Sequence, residues 1–151
     1  MGLDMYLYKK SYLMSEDWNK EEVRESVVVT KGGEPHPNIK SDRVKYVIEE
    51  VGYWRKANAI HKWFVDNIQN GKDECQESMV MPSELEDLLS LCKQVLENKD
   101  KAEELLPTTD GCFFGSTDYD DWYYVDIQDT VQMLEECLDG SEADFYYRAS
   151  W

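Results

Sequence analysis

Between residues 2 and 9, GLDMYLYK, the apolar Leu3, Met5 and Leu7 alternate with Asp4, Tyr6 and Tyr8. That is the two-residue period of a strand with one buried face. Residues 15–25 read as a short polar helix or an ordered loop, and SVVVT at 26–30 as a second strand. KGGEPHPNIKS, residues 31–41, is a loop by its glycines and prolines. In RVKYVIEEV, residues 43–51, Val44, Tyr46 and Ile48 share one side of a third strand, and Gly52 marks the change to a helix. Ala57, Ile60, Phe64 and Ile68 then recur at helical spacing, with Trp54 and His61 beside that stripe and Gly71 at its end. CQESMVMP, residues 75–82, is a short strand. Ser83 and Glu86 have the spacing of a capping box for the next helix, which turns Leu85, Leu88, Leu89, Cys92, Val95 and Leu96 inward. A second helical piece ends at Pro107. The last helix runs from about Asp126 to Leu138, with Ile127, Val131, Leu134 and Leu138 on one face. DFYYRASW closes the chain as a strand with aromatic side chains on both faces. The pattern predicts an α+β fold in one domain over 1–151, a mostly antiparallel sheet packed by about three α-helices.

Composition narrows what such a fold can do. A chain of 151 residues is long enough to bury a core without covalent staples. Cys75, Cys92, Cys112 and Cys137 lie 17, 20 and 25 positions apart, so no C-x-x-C pair points to zinc or redox exchange. They read as buried thiols of a reducing cytoplasm. The start of the chain has no signal-peptide pattern, and no apolar run reaches bilayer length. A cytoplasmic protein without membrane contact is expected. The formal charge is −16, and residues 101–151 hold only two basic side chains, Lys101 and Arg148, against thirteen carboxylates. Such a surface repels a nucleic-acid backbone, which argues against direct duplex binding. It is either a set of solvated acidic faces or, through groups such as Asp129, Glu135 and Glu136, a phosphate mimic for a basic partner.

Two stretches depart from this background. YWRKANAIHKWFV, residues 53–65, gathers Arg55, Lys56 and Lys62 among large aromatics and His61. GCFFGSTDYDDWYY, residues 111–124, sets two glycines four apart before a run of hydroxyls, carboxylates and rings. Lys62 and Asp66 have the i,i+4 spacing of a solvated ion pair, and the tryptophans suit a core. Aromatic rings also stack on bases, Arg and Lys hold phosphates, and Asn58 can donate to and accept from a base edge. The candidate ligand residues are therefore Trp54, Arg55, Lys56, Asn58 and His61, with Phe114, Ser116, Thr117, Asp118 and Tyr119 opposite. No catalytic residue, metal ligand or cofactor is assigned. The second stretch lacks the lysine of a phosphate loop and the turn glycine of a calcium loop. A loose Mg²⁺ site at Asp118 and Asp120 is the weaker reading beside an Asx-turn with exposed carboxylates. Neither histidine has zinc-hydrolase spacing, and no G-x-S-x-G elbow is present. His61 could serve as a general base with a carboxylate from the 118–121 loop if the fold brings the two together, and a hydrogen-bonded core or boundary histidine is the stronger reading.

MGLDMYL at the start, YWRKANAIHKWF at the centre, LPTTDGCFFGSTDYDDWYY and the terminal YYRASW together resemble a family of small acidic proteins of bacteriophage, prophage and bacterial genomes. The resemblance departs mainly around residues 14–40. It implies an accessory protein of the bacterial cytoplasm and carries over no catalytic residue. The expectation is a binding protein rather than an enzyme, taking a nucleotide-like small molecule and sequestering a host defence signal. Its alternative is an acidic inhibitor of a basic host nucleic-acid-binding protein. Homo-oligomerisation is left open.

Overall fold

A computed structural model describes residues 2–13 and 25–151. The helix or loop expected at 15–25 falls almost wholly outside those residues. Among the described residues six strands and four α-helices follow in the order β1 (Asp4–Tyr12), β2 (Thr30–Lys31), β3 (Glu34–Pro35), β4 (Tyr46–Arg55), α1 (Asn58–Asn67), β5 (Ser78–Val80), α2 (Pro82–Glu97), α3 (Ala102–Leu105), α4 (Asp121–Cys137) and β6 (Asp144–Ser150). The main sheet has the order β4-β1-β6-β5 with every neighbouring pair antiparallel. This is the α+β architecture that the pattern predicts, with α3 a single extra turn between α2 and α4.

The alternation of β1 is realised in three dimensions. Met5 and Leu7 point into the core beside Trp54 of β4 and Phe145, Tyr147 and Ala149 of β6, while Tyr6, Tyr8 and Lys10 stand on the opposite face. Helices α1, α2 and α4 bury Ile60, Phe64, Leu85, Leu88, Ile127 and Leu134 on the same core. Phe64 stacks on Tyr147 with ring centroids 3.8 Å apart. Two polar groups enter this layer with partners. Lys9 lies on the inward side of β1 and donates to Asp139 at 2.9 Å. Trp54 Nε1 donates to Thr130 Oγ1 at 2.8 Å, and that hydroxyl donates to the Asp126 carbonyl one turn back in α4.

Several boundaries differ from the sequence reading, each for a local reason. Gly52 does not begin a helix; it lies inside β4, which runs on to Arg55. A Cβ at position 52 would press on the Trp54 indole at 3.1 Å, so glycine makes room for the ring within the strand. The pairing slips at Leu7/Tyr8, where β1 passes directly from Gly52 to Glu50 and leaves Val51 as the extra residue of a bulge. Residues 26–29 form no strand; only Thr30 and Lys31 pair, with Pro35 and Glu34 across a Gly32–Gly33 turn inside the expected loop. The capping box is displaced by two residues, since it is Glu84 whose carboxylate accepts the Met81 N–H at 2.8 Å. Helix α4 starts at Asp121 rather than 126, because Asp120 accepts the Tyr123 N–H at 3.1 Å and so caps it. Cys92 and Cys137 are buried thiols, pushed up to about 12 and about 11 by burial, whereas Cys112 is exposed and Cys75 half-buried. No helix among the described residues is long and apolar enough to cross a membrane.

Candidate functional site

The two unusual stretches meet, and Asn58 joins them. It is the first residue of α1 and is buried, with its amide Nδ2 donating to the carbonyls of Phe114 (3.1 Å) and Ser116 (2.8 Å). Its Oδ1 accepts the Thr109 N–H at 3.1 Å. One side chain thus satisfies three backbone groups of the 108–117 loop, which would otherwise lose water without a replacement. The loop is drawn in further by Thr108, whose N–H donates to the Tyr119 hydroxyl and whose Oγ1 donates to the Thr117 carbonyl. Gly111 and Gly115 permit the path. A Cβ on Gly111 would overlap the Phe114 ring, and Gly115 has φ +88° with Lys56 Cβ 3.2 Å from where its own Cβ would stand. Lys56 itself turns with φ +59°, the corner between β4 and α1.

A cavity of about 270 Å³ lies in this corner. Arg55, Lys56 and the start of α1 form one wall. Ser116, Asp118 and Asp120 from the loop and Trp122 and Asp126 from α4 form the other, over an apolar floor of Ala57, Ile60 and Ile127. Neither Arg55 nor Lys56 makes a hydrogen bond through its side chain, or an ion pair, to a described residue. Asp126 is half-buried, and that burial, with the charges of Asp129 and Asp120 adding to it, raises its carboxyl to about 7. Trp122 is 78% exposed on the rim. Among the described residues no three His, Cys, Asp or Glu side chains are grouped to hold a metal ion.

The sequence candidates therefore separate. Arg55, Lys56 and Asp118 line the cavity with side chains that have no hydrogen-bond or ion-pair partner among the described residues, and Ser116 lines it with a hydroxyl that accepts the Asp118 N–H at 3.0 Å. Asn58 lines it too, but its polar atoms are committed to the loop. Trp54, His61, Phe114, Thr117 and Tyr119 are not among the lining residues. Trp54 and Phe114 belong to the core, Phe114 lying edge-on to both His61 and Trp151. Sequence reasoning missed Trp122 and Asp126, and named Asp120 only with Asp118 as a loose Mg²⁺ site. Asp126 was readable only as the start of a helix, since its place in a wall depends on how α4 meets α1.

His61 has a different setting from the one its sequence neighbours suggest. It is 1% exposed, with Nδ1 2.7 Å from the Tyr147 hydroxyl and Nε2 2.9 Å from Asp73 Oδ2. Asp73 Oδ1 accepts the Trp151 indole N–H at 2.9 Å. The carboxylate beside the imidazole is thus Asp73 and not one from the 118–121 loop. Tyr147 is fully buried, and burial pushes its hydroxyl well above the ordinary phenol range. The chain Tyr147–His61–Asp73–Trp151 ties α1, the 68–77 connection and the C-terminus together as a satisfied network that runs from the core out to the surface. On the acidic helix faces, Glu135 pairs with Lys93 at 2.9 Å and Glu136 accepts from Gln132 at 3.2 Å. Lys62 and Asp66 form the i,i+4 pair at 2.6 Å.

Compared with known proteins, the chain matches no family model, no curated protein and no solved structure.

Proposed function

We propose that the protein is a binding module for a nucleotide-like small molecule, held in the cavity between the β4–α1 corner and the 115–126 segment. One observation carries this reading. In a chain of charge −16, Arg55 and Lys56 sit side by side at a concave site with no ion-pair partner among the described residues, although carboxylates line the facing wall. Guanidinium and ammonium groups placed this way suit an anionic group such as a phosphate. Asp118 and Asp126 opposite suit the N–H donors of a heterocycle, and the exposed Trp122 ring offers a stacking surface at the mouth. A cavity of about 270 Å³ takes a single mononucleotide-sized ligand rather than a polymer. The protein acts by sequestration rather than turnover in this reading, because its buried histidine–carboxylate pair does not line the cavity. The role as a phage-type accessory factor that blunts a host signal rests on the sequence resemblance alone.

The test is native mass spectrometry and calorimetry of the full chain against mono-, di- and cyclic nucleotides. Saturable one-to-one binding is expected, reduced at least about tenfold by Arg55→Ala or Lys56→Ala, each removing one charge-assisted contact of roughly 1.5–3 kcal/mol. The melting temperature should be nearly unchanged, since both side chains are exposed. Absence of binding across the panel, or binding indifferent to both substitutions, overturns the assignment.

A further inference from the structure

The helices cover one face of the main sheet, and among the described residues no helix packs on the other. Six tyrosines stand on it: Tyr6, Tyr8 and Tyr12 of β1, Tyr46 and Tyr53 of β4, and Tyr146 of β6. Ile48 on β4 and Met79 on β5 join them at 64% and 50% exposure. Tyrosine, methionine and arginine gathered on one surface are what protein interfaces enrich relative to the rest of a surface. The charges here also differ from the rest of the chain. Lys10, Arg55 and Arg148 stand with Asp4, Glu50, Glu77 and Asp144, close to balance in a protein of net −16. This is the face on which a second acidic molecule meets least repulsion.

The order of those charges selects the occupant. Tyr8 pairs across the sheet with Tyr146 and Glu50; one outward row to one side lie Tyr6, Arg148 and Tyr53, and one row to the other lie Lys10, Asp144 and Ile48. A two-fold axis crossing the strands at the Tyr8 row lays each strand over its own copy, reversed, and exchanges the two flanking rows. Arg148 then faces Asp144 of the second copy, and Asp144 faces Arg148. Tyr6 meets the Lys10 ammonium, which already sits 4.5 Å over the Tyr46 ring within one chain. Tyr53 meets Ile48. Tyr8 and Tyr146 meet their own copies on the axis, and Glu50 is the one charged group of that row to do so. The surface is complementary to itself in this one orientation, as a closed two-fold contact requires.

We propose that the open tyrosine-rich face is the docking surface for a second copy of this chain, forming a two-fold dimer with the two sheets packed face to face. Strand spacing of about 4.8 Å and a rise of about 3.3 Å per residue give a patch about 15 by 30 Å. With side-chain relief this buries about 1,200–1,400 Å² over both copies, at the low end of specific interfaces, so the dimer is a reversible one with a dissociation constant in the micromolar range. Of the cavity-lining residues only Arg55, in register with Asp4, belongs to an outward row of this face, so substitutions at Arg148, Asp144 and Glu50 test the dimer independently of the ligand.

Sedimentation equilibrium of the full chain from about 1 to 300 μM tests it, with thermal melts confirming that each variant is folded. The expected result is a monomer–dimer equilibrium of the 17.7 kDa chain. Arg148→Asp and Asp144→Arg, both at exposed positions, each weaken it at least about tenfold, and the double charge reversal restores it to within about threefold. Glu50→Gln, which removes the one repulsive pair, tightens it severalfold. A monomer at every concentration overturns the proposal, as does a dimer indifferent to the single reversals, or one that the double reversal does not rescue.

Discussion

Asp126→Asn should stabilise the protein, and the gain should depend on pH in a way fixed by the fold. The carboxyl is half-buried in the cavity wall and raised from 3.8 to about 7, first by burial and then by Asp129 and Asp120. A carboxyl raised in the folded state binds its proton more tightly there than in the unfolded chain. Between about pH 4 and 7 the native state therefore holds more protons, and the stability due to this group falls as pH rises. Below pH 4 both states are protonated and the term vanishes; above pH 7 the full cost is present. A shift of about three units corresponds to about 4 kcal/mol at 1.36 kcal/mol per unit, and the partial solvent access of Asp126 reduces this to about 1–3 kcal/mol. Asparagine has the same shape and no charge. Urea denaturation of both proteins at pH 4.5, 6, 7 and 8 should show a difference that is small at pH 4.5 and grows to about 1–3 kcal/mol by pH 8. With a slope near 2 kcal/mol/M, that is a midpoint shift of about 0.5–1.5 M. Taking the difference between the two proteins removes the other titrating groups, Asp139 among them, whose carboxyl is held low by Ser141 and Lys9. A difference that stays flat across the range, or a mutant less stable at pH 8, refutes the placement of Asp126 in a poorly solvated wall.

Two further substitutions probe the parts that shape the site. Asn58→Ala removes three hydrogen bonds to the 108–117 loop and should cost about 2–4 kcal/mol; hydrogen exchange at the Thr109 amide should accelerate while exchange in β1 and β6 tracks only the global loss. Asn58→Asp should be no better, since it keeps the acceptor for Thr109 but aims an oxyanion at two carbonyls. Unchanged exchange at Thr109 would show that the loop is held by something else. His61→Ala should cost about 3–5 kcal/mol by opening a cavity and stranding the buried Tyr147 hydroxyl. Adding Tyr147→Phe should then cost less than it does alone in wild type, and strict additivity in urea melts would dissolve the network.

Where a residue's role depends only on its neighbours in sequence, the pattern was enough to read it. The alternation of Leu3, Met5 and Leu7, the Lys62–Asp66 spacing and the aromatic C-terminal strand all appear in the fold as the periodicities require. The failures are residues whose role is set across the molecule. Gly52 looks like a helix boundary until Trp54, two residues on, folds its ring over it inside a strand. Asn58 looks like a group offered to a ligand, yet its three partners lie more than fifty positions away in the chain. His61 was read with the 118–121 carboxylates, but the sheet delivers Tyr147 and the segment after α1 delivers Asp73. The polar groups of the opening island divide according to which side of the β4–α1 corner they leave by. Arg55 and Lys56 precede the helix and reach the cavity, whereas His61, one turn in, is already interior.

That division bears on how a ligand would be held. The corner at Lys56 is fixed by its backbone N–H, which donates to the Leu3 carbonyl at 2.8 Å, and the facing loop is fixed by Asn58 and by a glycine that no side chain could replace without strain. The walls are thus set by the same contacts that close the core, and their ordering is complete before any ligand arrives. The chemically distinctive groups on them, Arg55, Lys56, Asp118 and Trp122, carry no such side-chain ties to the described residues. They stand on a rigid frame with free ends, so the ordering cost of binding is confined to a few side chains, about 0.5–1.5 kcal/mol for each that is immobilised. A site built this way discriminates by where its charges stand rather than by closing around its ligand. Removing a charge should then act chiefly on the dissociation rate and leave the association rate within about tenfold of wild type.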